Sequence, residues 1–403
     1  MLKNILSSEV QSFIRDHEQD DERQIVLRHK EVAGVPSSVI ADQISGRRKA
    51  KDKIPTYYNA SNIIYPPGIN LEQTSSEKTA LFKSALLSDH CSSPGQGVDL
   101  TGGLGIDTYF LSKRFSQFHY IEPNIALLEI ARHNHLQLDA ANIHYHNNTT
   151  ENFLNQLNHA VDFIFIDPSR RSENKKVFTF SDSEPNVVSL REKIFEKTGL
   201  LMIKASPLLD IKLALKELSS VKKVFVLSVE NEVKELLFLC MRGFANEAHI
   251  EAINLSKQGT PQVFGFQFSE EENTDVSYSD PLLYLYEPGA SILKAGAFKT
   301  ISKRFALSKI HPSTHFYTSD LLVENFPGRI FKVEARVKPH PKALMEFFPE
   351  GKANVIARNY PLSVADLKKK TGISDGGSKY LIAFSGVKEK FVCVATRLRD
   401  TWQ

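Results

Sequence analysis

The sequence predicts an α/β protein: a doubly wound, mostly parallel sheet, preceded by a helical extension and followed by an α+β C-terminal region. Three observations predict it. From Gly97 onward, strand-like and helix-like segments alternate. The run Val161-Asp-Phe-Ile-Phe-Ile166 is almost unbroken apolar, as a strand covered on both faces would be. Residues Val98-Asp-Leu-Thr-Gly-Gly-Leu-Gly-Ile-Asp-Thr108 read as a strand that ends in a glycine turn and runs into a helix.

Taken in order, residues 1–85 form a helical N-terminal extension. Leu2, Ile5, Val10 and Phe13 fall on one side of a helix, and the segment from Gln43 to Pro55 is strongly basic. Pro66, Pro67 and Gly68 break the chain, and Thr74-Ser75-Ser76-Glu77 supplies capping residues for a helix through Ala80, Leu81 and Phe82. Strands follow at 97–100, 118–122, 142–146, 161–166 and 199–204, with helices at 105–115, 124–138, 150–157 and 187–198. A helix over 208–218 leads to two apolar runs, 223–229 and 234–241, close enough in sequence to pair antiparallel. Residues 245–282 read as a short β-rich stretch and a loop containing Glu270-Glu-Glu-Asn-Thr-Asp275. From Leu282 aromatics, prolines and lysines interleave.

Size and composition set the outer bounds. A chain of 403 residues, 41% hydrophobic, buries at least two cores. Cys91, Cys240 and Cys393 are too widely spaced for a metal site or a disulfide framework, which points to a reducing compartment and to no metal. The first twenty residues lack the apolar core of a secretory signal, and no apolar run approaches the roughly 18 residues that span a bilayer. The expectation is a soluble cytoplasmic protein without a membrane partner. Charge is uneven: from Lys294 to the end there are 20 Lys and Arg against 9 Asp and Glu, whereas the preceding chain is acidic. A basic C-terminal third on an acidic body suits a polyanion partner, although a solvated basic surface would give the same count.

Four strand ends in the alternating region gather chemistry, and strand carboxyl ends are where open α/β sheets bind ligands. The first is the glycine turn. Thr108 stands where a dinucleotide fingerprint requires its third glycine, and Asp99 at the strand end suits a cationic ligand better than a pyrophosphate. The second is Glu122, about 20 residues beyond the turn, where an acid accepts hydrogen bonds from ribose hydroxyls; a helix N-cap is its other role. The third is His146-Asn147-Asn148-Thr149, and the fourth Asp167-Pro168-Ser169-Arg170-Arg171, where two arginines offer phosphate contacts or stacking on a base. Lys204, at the end of the fifth strand, rims the same crevice as a phosphate contact or a solvated residue. Cys240 lies inside an apolar run and reads as core, which argues against a cysteine nucleophile.

The stretch Asp99-Leu-Thr-Gly-Gly-Leu-Gly105 resembles motif I of class I S-adenosylmethionine-dependent methyltransferases. Further motifs extend the likeness to the bacterial members with a THUMP-like C-terminal domain: Gln43-Ile-Ser-Gly-Arg47, Glu72-Gln-Thr-Ser-Ser-Glu77, Asp167-Pro-Ser-Arg-Arg171, Lys204-Ala-Ser-Pro207, Asn231-Glu-Val-Lys-Glu235, Tyr284-Leu-Tyr-Glu-Pro-Gly289, Tyr317-Thr-Ser-Asp320, Phe326-Pro-Gly-Arg329 and Ala357-Arg-Asn-Tyr-Pro361. The resemblance implies a Rossmann-like methyltransferase sheet at 86–245, a ferredoxin-like segment at 278–322 and a THUMP-like domain at 325–400. It implies S-adenosyl-L-methionine as cofactor, bound by Asp99, Thr101, Gly103, Gly105, Asp107, Thr108, Glu122 and Asn148. The family often has Asp at the position of Asn148, to bind the adenine amino group. It implies catalysis at Asp167, Pro168 and Arg170, in the place where amino-methyltransferases carry Asp-Pro-Pro-Tyr; here arginine replaces the aromatic.

THUMP domains bind RNA, so the resemblance also implies an RNA partner, tRNA or rRNA, met by Arg171, Lys204, Arg358 and Tyr360. Read from residues alone, Lys338, Lys342 and Lys368–Lys370 offer phosphate contacts, while Phe347 and Phe348 read as core. The expected function is therefore RNA methylation. The alternatives are an RNA-binding protein on a degenerate methyltransferase fold and a small-molecule methyltransferase.

Overall fold

A computed structural model of the chain describes residues 2–66, 71, 74–90, 95–170, 179–256 and 261–400. Pro67, Gly68, Glu72, Gln73, Cys91 and Arg171 lie outside the described residues. The chain divides into two compact units, residues 1–221 with 238–246 and residues 222–237 with 247–403.

The first unit starts with short capped helices. Ser7 caps Ser8–Asp16 and Asp21 caps Glu22–Arg28, each side chain accepting a backbone N–H of the first turn. The helix Ser37–Lys53 follows. Ile5, Val10, Ile14, Ile25, Ile40 and Ile44 form a core with Ile64 and with Ile130 of helix Ile125–Gln137, so the extension is packed onto the α/β body. Ser76 caps Glu77–Leu86 by accepting the Thr79 N–H, as the Thr74–Glu77 pattern predicts.

The body is a parallel sheet of β1 (Gln96–Asp99), β2 (Gln117–Ile121), β3 (Ile143–His146), β4 (Phe163–Ile166) and β5 (Leu200–Ala205), in the order β5-β4-β1-β2-β3. Helices Ile106–Ser112, Ile125–Gln137, Thr150–Gln156 and Val187–Lys197 connect or flank these strands. Each strand and helix lies within a few residues of its expected range. All four residues of β4 are buried, the reason its sequence lacks alternation. The strand order reverses between β1 and β4, because β1 leads outward to β2 and β3 and the chain then returns to the other side. Such a switch point leaves a crevice beyond the strand ends.

A hairpin of β6 (Val221–Val229) and β7 (Glu232–Met241), whose residues 222–237 fall in the second unit, is turned by Glu230 and Asn231 at φ 51° and 60°. Two successive residues of positive φ are what a tight two-residue hairpin requires. β6 pairs parallel with β8 (His249–Leu255), which pairs antiparallel with β9 (Gln262–Phe266). The expected loop at 270–275 is instead largely helical, over Phe268–Asn273. Glu271 in that helix is buried and accepts the N–H groups of Phe298, Lys299 and Thr300, a long-range contact that its acidic, loop-like composition hides. A seven-stranded sheet completes the unit, in the order 308–311, 314–319, 284–288, 328–336, 390–400, 379–385, 354–358. Phe348 is buried in its core, as expected, with Phe347 packed partly against it.

Among the described residues no helix is long and apolar enough to cross a membrane.

Candidate active site

The crevice at the switch point is built from β1 and β4. Asp99 ends β1, is 0% exposed, and accepts the Thr101 N–H at 3.0 Å and the Thr108 hydroxyl at 2.6 Å. Burial pushes its carboxyl up to about 7; the Thr108 and Thr101 hydrogen bonds oppose the rise, and the charges of Asp107 and Asp167 add to it. The Thr101 hydroxyl in turn accepts the Asp167 N–H at 2.7 Å, tying the end of β1 to the end of β4.

The glycine turn is fixed from three sides. Gly103 has φ 55°, and its N–H donates to Glu122 Oε2 at 3.0 Å; Glu122 Oε1 accepts the Asn124 N–H at 2.8 Å. The Tyr120 hydroxyl donates to the Gly103 carbonyl at 2.5 Å. Gly105 has φ 75°, and a Cβ there would lie 2.5 Å from the His135 ring. Packing against His135 therefore accounts for glycine at 105, whereas no side chain crowds the Cβ position of Gly103.

A chain of alternating charge runs along one wall. Lys83, 0% exposed, lies 3.1 Å from Asp107 Oδ1 and donates to the Ser75 hydroxyl at 3.0 Å; Ser75 donates to Asp107 Oδ2 at 2.7 Å. Lys204 Nζ lies 3.6 Å from Asp107 Oδ2 and 2.5 Å from Asp167 Oδ2. Burial alone would raise the Asp107 carboxyl. The Lys83 and Lys204 ammoniums outweigh it and hold the group below the ordinary aspartate value. No hydrogen-bond partner of Asp167 Oδ1 occurs among the described residues.

Asp99, Thr101, Gly103, Gly105, Asp107, Asp167 and Lys204, all expected site residues, line one open cleft of ≈ 670 Å³. Thr108 stands behind it, bound to Asp99, and Glu122 clamps the turn from its side. Pro168 is buried beside Asp167, and the Arg170 backbone lies in a two-residue strand paired with Ser183–Glu184. Asn148 is not part of the cleft wall: its amide donates to Gln156 at 3.0 Å and its oxygen accepts the Thr149 N–H. Arg358 and Tyr360 belong to the second unit. Arg358 is ion-paired with Glu287 at 2.9 Å, and Tyr360 is packed partly onto the core. Cys240 is buried and its thiol is pushed up to about 12 by burial, so it offers no nucleophile.

Sequence reasoning missed Thr74, Ser75 and Lys83. The first two line the cleft and the third anchors it. The capping pattern Thr74–Glu77 announced a helix start, and a helix start can bring its preceding residues to a neighbouring site. Nothing in spacing marked Lys83.

The residues present fit a sulfonium nucleoside. A fully buried carboxylate poised near neutrality gains from a cationic ligand beside it, and the open Cβ position of Gly103 leaves room against the turn. With no partner for Asp167 Oδ1 among the described residues, the cleft can hold a cation on one side and accept a proton on the other.

The C-terminal region matches two family models, a ferredoxin-like domain over residues 284–327 and a THUMP domain-like family over residues 328–397. No curated protein matches the sequence. Among solved structures, a proposed methyltransferase from Porphyromonas gingivalis W83 is 30% identical, covers 98% of this chain and 99% of its own, and superposes with a TM-score of 0.86. A proposed methyltransferase from Streptococcus mutans in complex with SAH is 19% identical over 40% of this chain and 95% of its own, TM-score 0.31. A proposed RNA methyltransferase from Pyrococcus horikoshii is 11% identical over 48% and 98%, TM-score 0.33.

Proposed function

The chain belongs to the class I methyltransferases that end in a THUMP-like domain, and from that premise we propose that it transfers a methyl group from S-adenosylmethionine to RNA. The observation that carries the proposal is the convergence of Asp99 and Asp167 at the switch point, one buried and suited to a cation, the other with an oxygen left for an acceptor.

Bound S-adenosylmethionine supplies an activated methyl, so alignment is the protein's main task. Asp99, the Gly103 backbone and the Thr101 edge would hold the donor, with Glu122 keeping the turn in shape. Lys204 fixes Asp167 by taking Oδ2, which leaves Oδ1 to orient the acceptor. If the acceptor is a nitrogen that bears a hydrogen, its lone pair would take the methyl as the sulfonium's S–CH3 bond breaks and the neutral thioether leaves, and the proton lost from nitrogen would pass to Asp167. Phe165, buried, and Leu127, half-buried, give the cleft an apolar flank. The RNA assignment is supported by the THUMP domain-like match and by the basic excess from Lys294 onward.

Calorimetry of the full chain with S-adenosylmethionine, followed by transfer of labelled methyl to cellular RNA from a strain lacking the gene, tests both halves. Asp167→Ala is expected to lower turnover by about 10²–10⁴-fold while changing donor affinity less than about 3-fold. Absence of donor binding, or full turnover in Asp167→Ala, would overturn the reading.

A further inference from the structure

The methyl-transfer reading leaves open which atom of the RNA takes the methyl. A nitrogen and an oxygen ask different things of a site. An exocyclic amine attacks with its one lone pair, gains positive charge as it does so, and belongs to a base that is read by stacking between flat side chains. A hydroxyl attacks with one of two lone pairs, gains negative charge as its proton leaves, and profits from a cation that faces the other pair.

Lys204 places a cation where a hydroxyl would use it. It stands near the end of β5, lines the cleft, and its side chain is 10% exposed. Nζ lies 2.5 Å from Asp167 Oδ2 and 3.6 Å from Asp107 Oδ2. Lys83, fully buried, holds Asp107 from the other side at 3.1 Å, so the Lys204 ammonium is pinned by a carboxylate that is itself pinned. Asp167 supplies the other half. Its Oδ2 takes Lys204, and its Oδ1, which has no partner among the described residues, can accept a hydroxyl proton. A hydroxyl bound on Oδ1 therefore shares one carboxylate with the ammonium.

The same cleft is poorly equipped for a base. Among the described residues that line it, the one aromatic is Phe165, 1% exposed inside β4, which offers no face for stacking.

We propose that the acceptor is a hydroxyl oxygen, the ribose 2′-hydroxyl of an RNA nucleotide, activated between Asp167 and Lys204. The ribose assignment rests on the RNA reading, because the 2′-hydroxyl is the hydroxyl that RNA displays along its chain. The hydroxyl passes its proton to Asp167 Oδ1 as its oxygen forms the bond to the methyl carbon. The S–CH3 bond breaks, its electron pair stays on sulfur, and the neutral thioether leaves. The Lys204 ammonium keeps its protons and meets the negative charge that builds on oxygen. The 2′-hydroxyl belongs to the backbone, so the base stays outside the cleft and needs no stacking platform.

The full chain is incubated with S-adenosylmethionine labelled in its methyl group and with RNA from a strain lacking the gene, and the RNA is then hydrolysed in alkali. Alkali cleaves RNA through the free 2′-hydroxyl, so a 2′-O-methyl nucleotide survives joined to its 3′ neighbour. Label in alkali-resistant dinucleotides is the expected result. Label in mononucleotides alone overturns the proposal and leaves RNA methylation standing; RNA without label overturns both. Calorimetry with S-adenosylmethionine on the same preparation reports the donor site separately. Lys204→Gln is expected to lower transfer by about 10²–10³-fold and donor affinity by less than about 3-fold, whereas Lys204→Arg, which keeps the charge, loses less transfer. Full transfer in Lys204→Gln overturns the role of the ammonium. If Lys204→Gln fails to fold, the alkali products of the wild type still decide the accepting atom.

Discussion

Two charged clusters in this protein use the same residue types to opposite effect. Around the cleft, Lys83, Asp107, Lys204 and Asp167 alternate in sign along one wall, and the series ends on a carboxylate oxygen that has no partner among the described residues. In the C-terminal unit Glu287, 3% exposed, takes Arg329 and Arg358 together, and the cluster closes on itself. The first cluster stands at a strand-order reversal, where backbone geometry keeps side chains from filling the crevice. In the second, Glu287 and Arg329 stand opposite each other on paired strands, and Arg358 joins them from the edge strand 354–358 of the same continuous sheet. Charge invites a ligand when topology denies it an internal partner.

The sharpest way to break this comparison is at Lys83. Lys83→Met keeps the length of a fully buried side chain and removes its charge, leaving Asp107 with Lys204 and Ser75 alone. Breaking a buried pair in this way costs about 3–5 kcal/mol. Denaturant unfolding of the full chain should show a loss at the low end of that range, because Asp107 keeps two partners. A loss below 1 kcal/mol would place the cleft cluster in the same class as a surface ion pair.

A smaller effect is expected at Asp99, and it carries a sign. Its carboxyl titrates near 7 in the folded chain and near the ordinary aspartate value when unfolded. The folded state therefore holds a proton that unfolding releases, and stability falls as pH rises from about 4 to about 7. Asp99→Asn should flatten that part of the profile of melting temperature against pH. Donor affinity should move the other way. The ionised fraction of such a group rises about tenfold between pH 6 and 8, so a sulfonium ligand should bind more tightly by up to that factor, and its neutral thioether counterpart should not. Parallel pH profiles for the two ligands would remove Asp99 from the donor site.

Much of this contrast was readable from the chain, and its gaps have physical causes. The alternation after Gly97 and the apolar run at 161–166 give the sheet; strand-end positions bring Asp99, Thr101, Asp167 and Lys204 to one cleft, and the first turn of the helix after β1 adds Asp107. Ser75 and Lys83 were not readable, because their contacts with Asp107 cross 32 and 24 residues of sequence and no local pattern encodes them. Asn148 shows the converse: its side chain satisfies a neighbour eight residues on, a local bond that a strand-end position does not reveal. The helix over Phe268–Asn273 needed Glu271 to find three N–H groups almost thirty residues away. Local periodicity fixes elements; which charged groups remain unpaired is decided by tertiary neighbours.

The smallest effect tests the closed cluster directly. Arg358 is 47% exposed on its side chain and stands where the sequence suggested an RNA contact, yet its guanidinium is committed to Glu287. Lys338 and Lys342 are exposed and have no side-chain partner among the described residues. The double variant Lys338→Ala and Lys342→Ala should weaken RNA binding and reduce the salt slope by about 1.4, two phosphate contacts on a single strand. Arg358→Ala should change RNA affinity less than about 2-fold, and its stability cost should stay below about 1 kcal/mol, because Arg329 still covers Glu287. Anisotropy at three salt concentrations separates the two. If Arg358→Ala matches the double variant, the ion pair opens to RNA and the C-terminal cluster is as available to a ligand as the cleft.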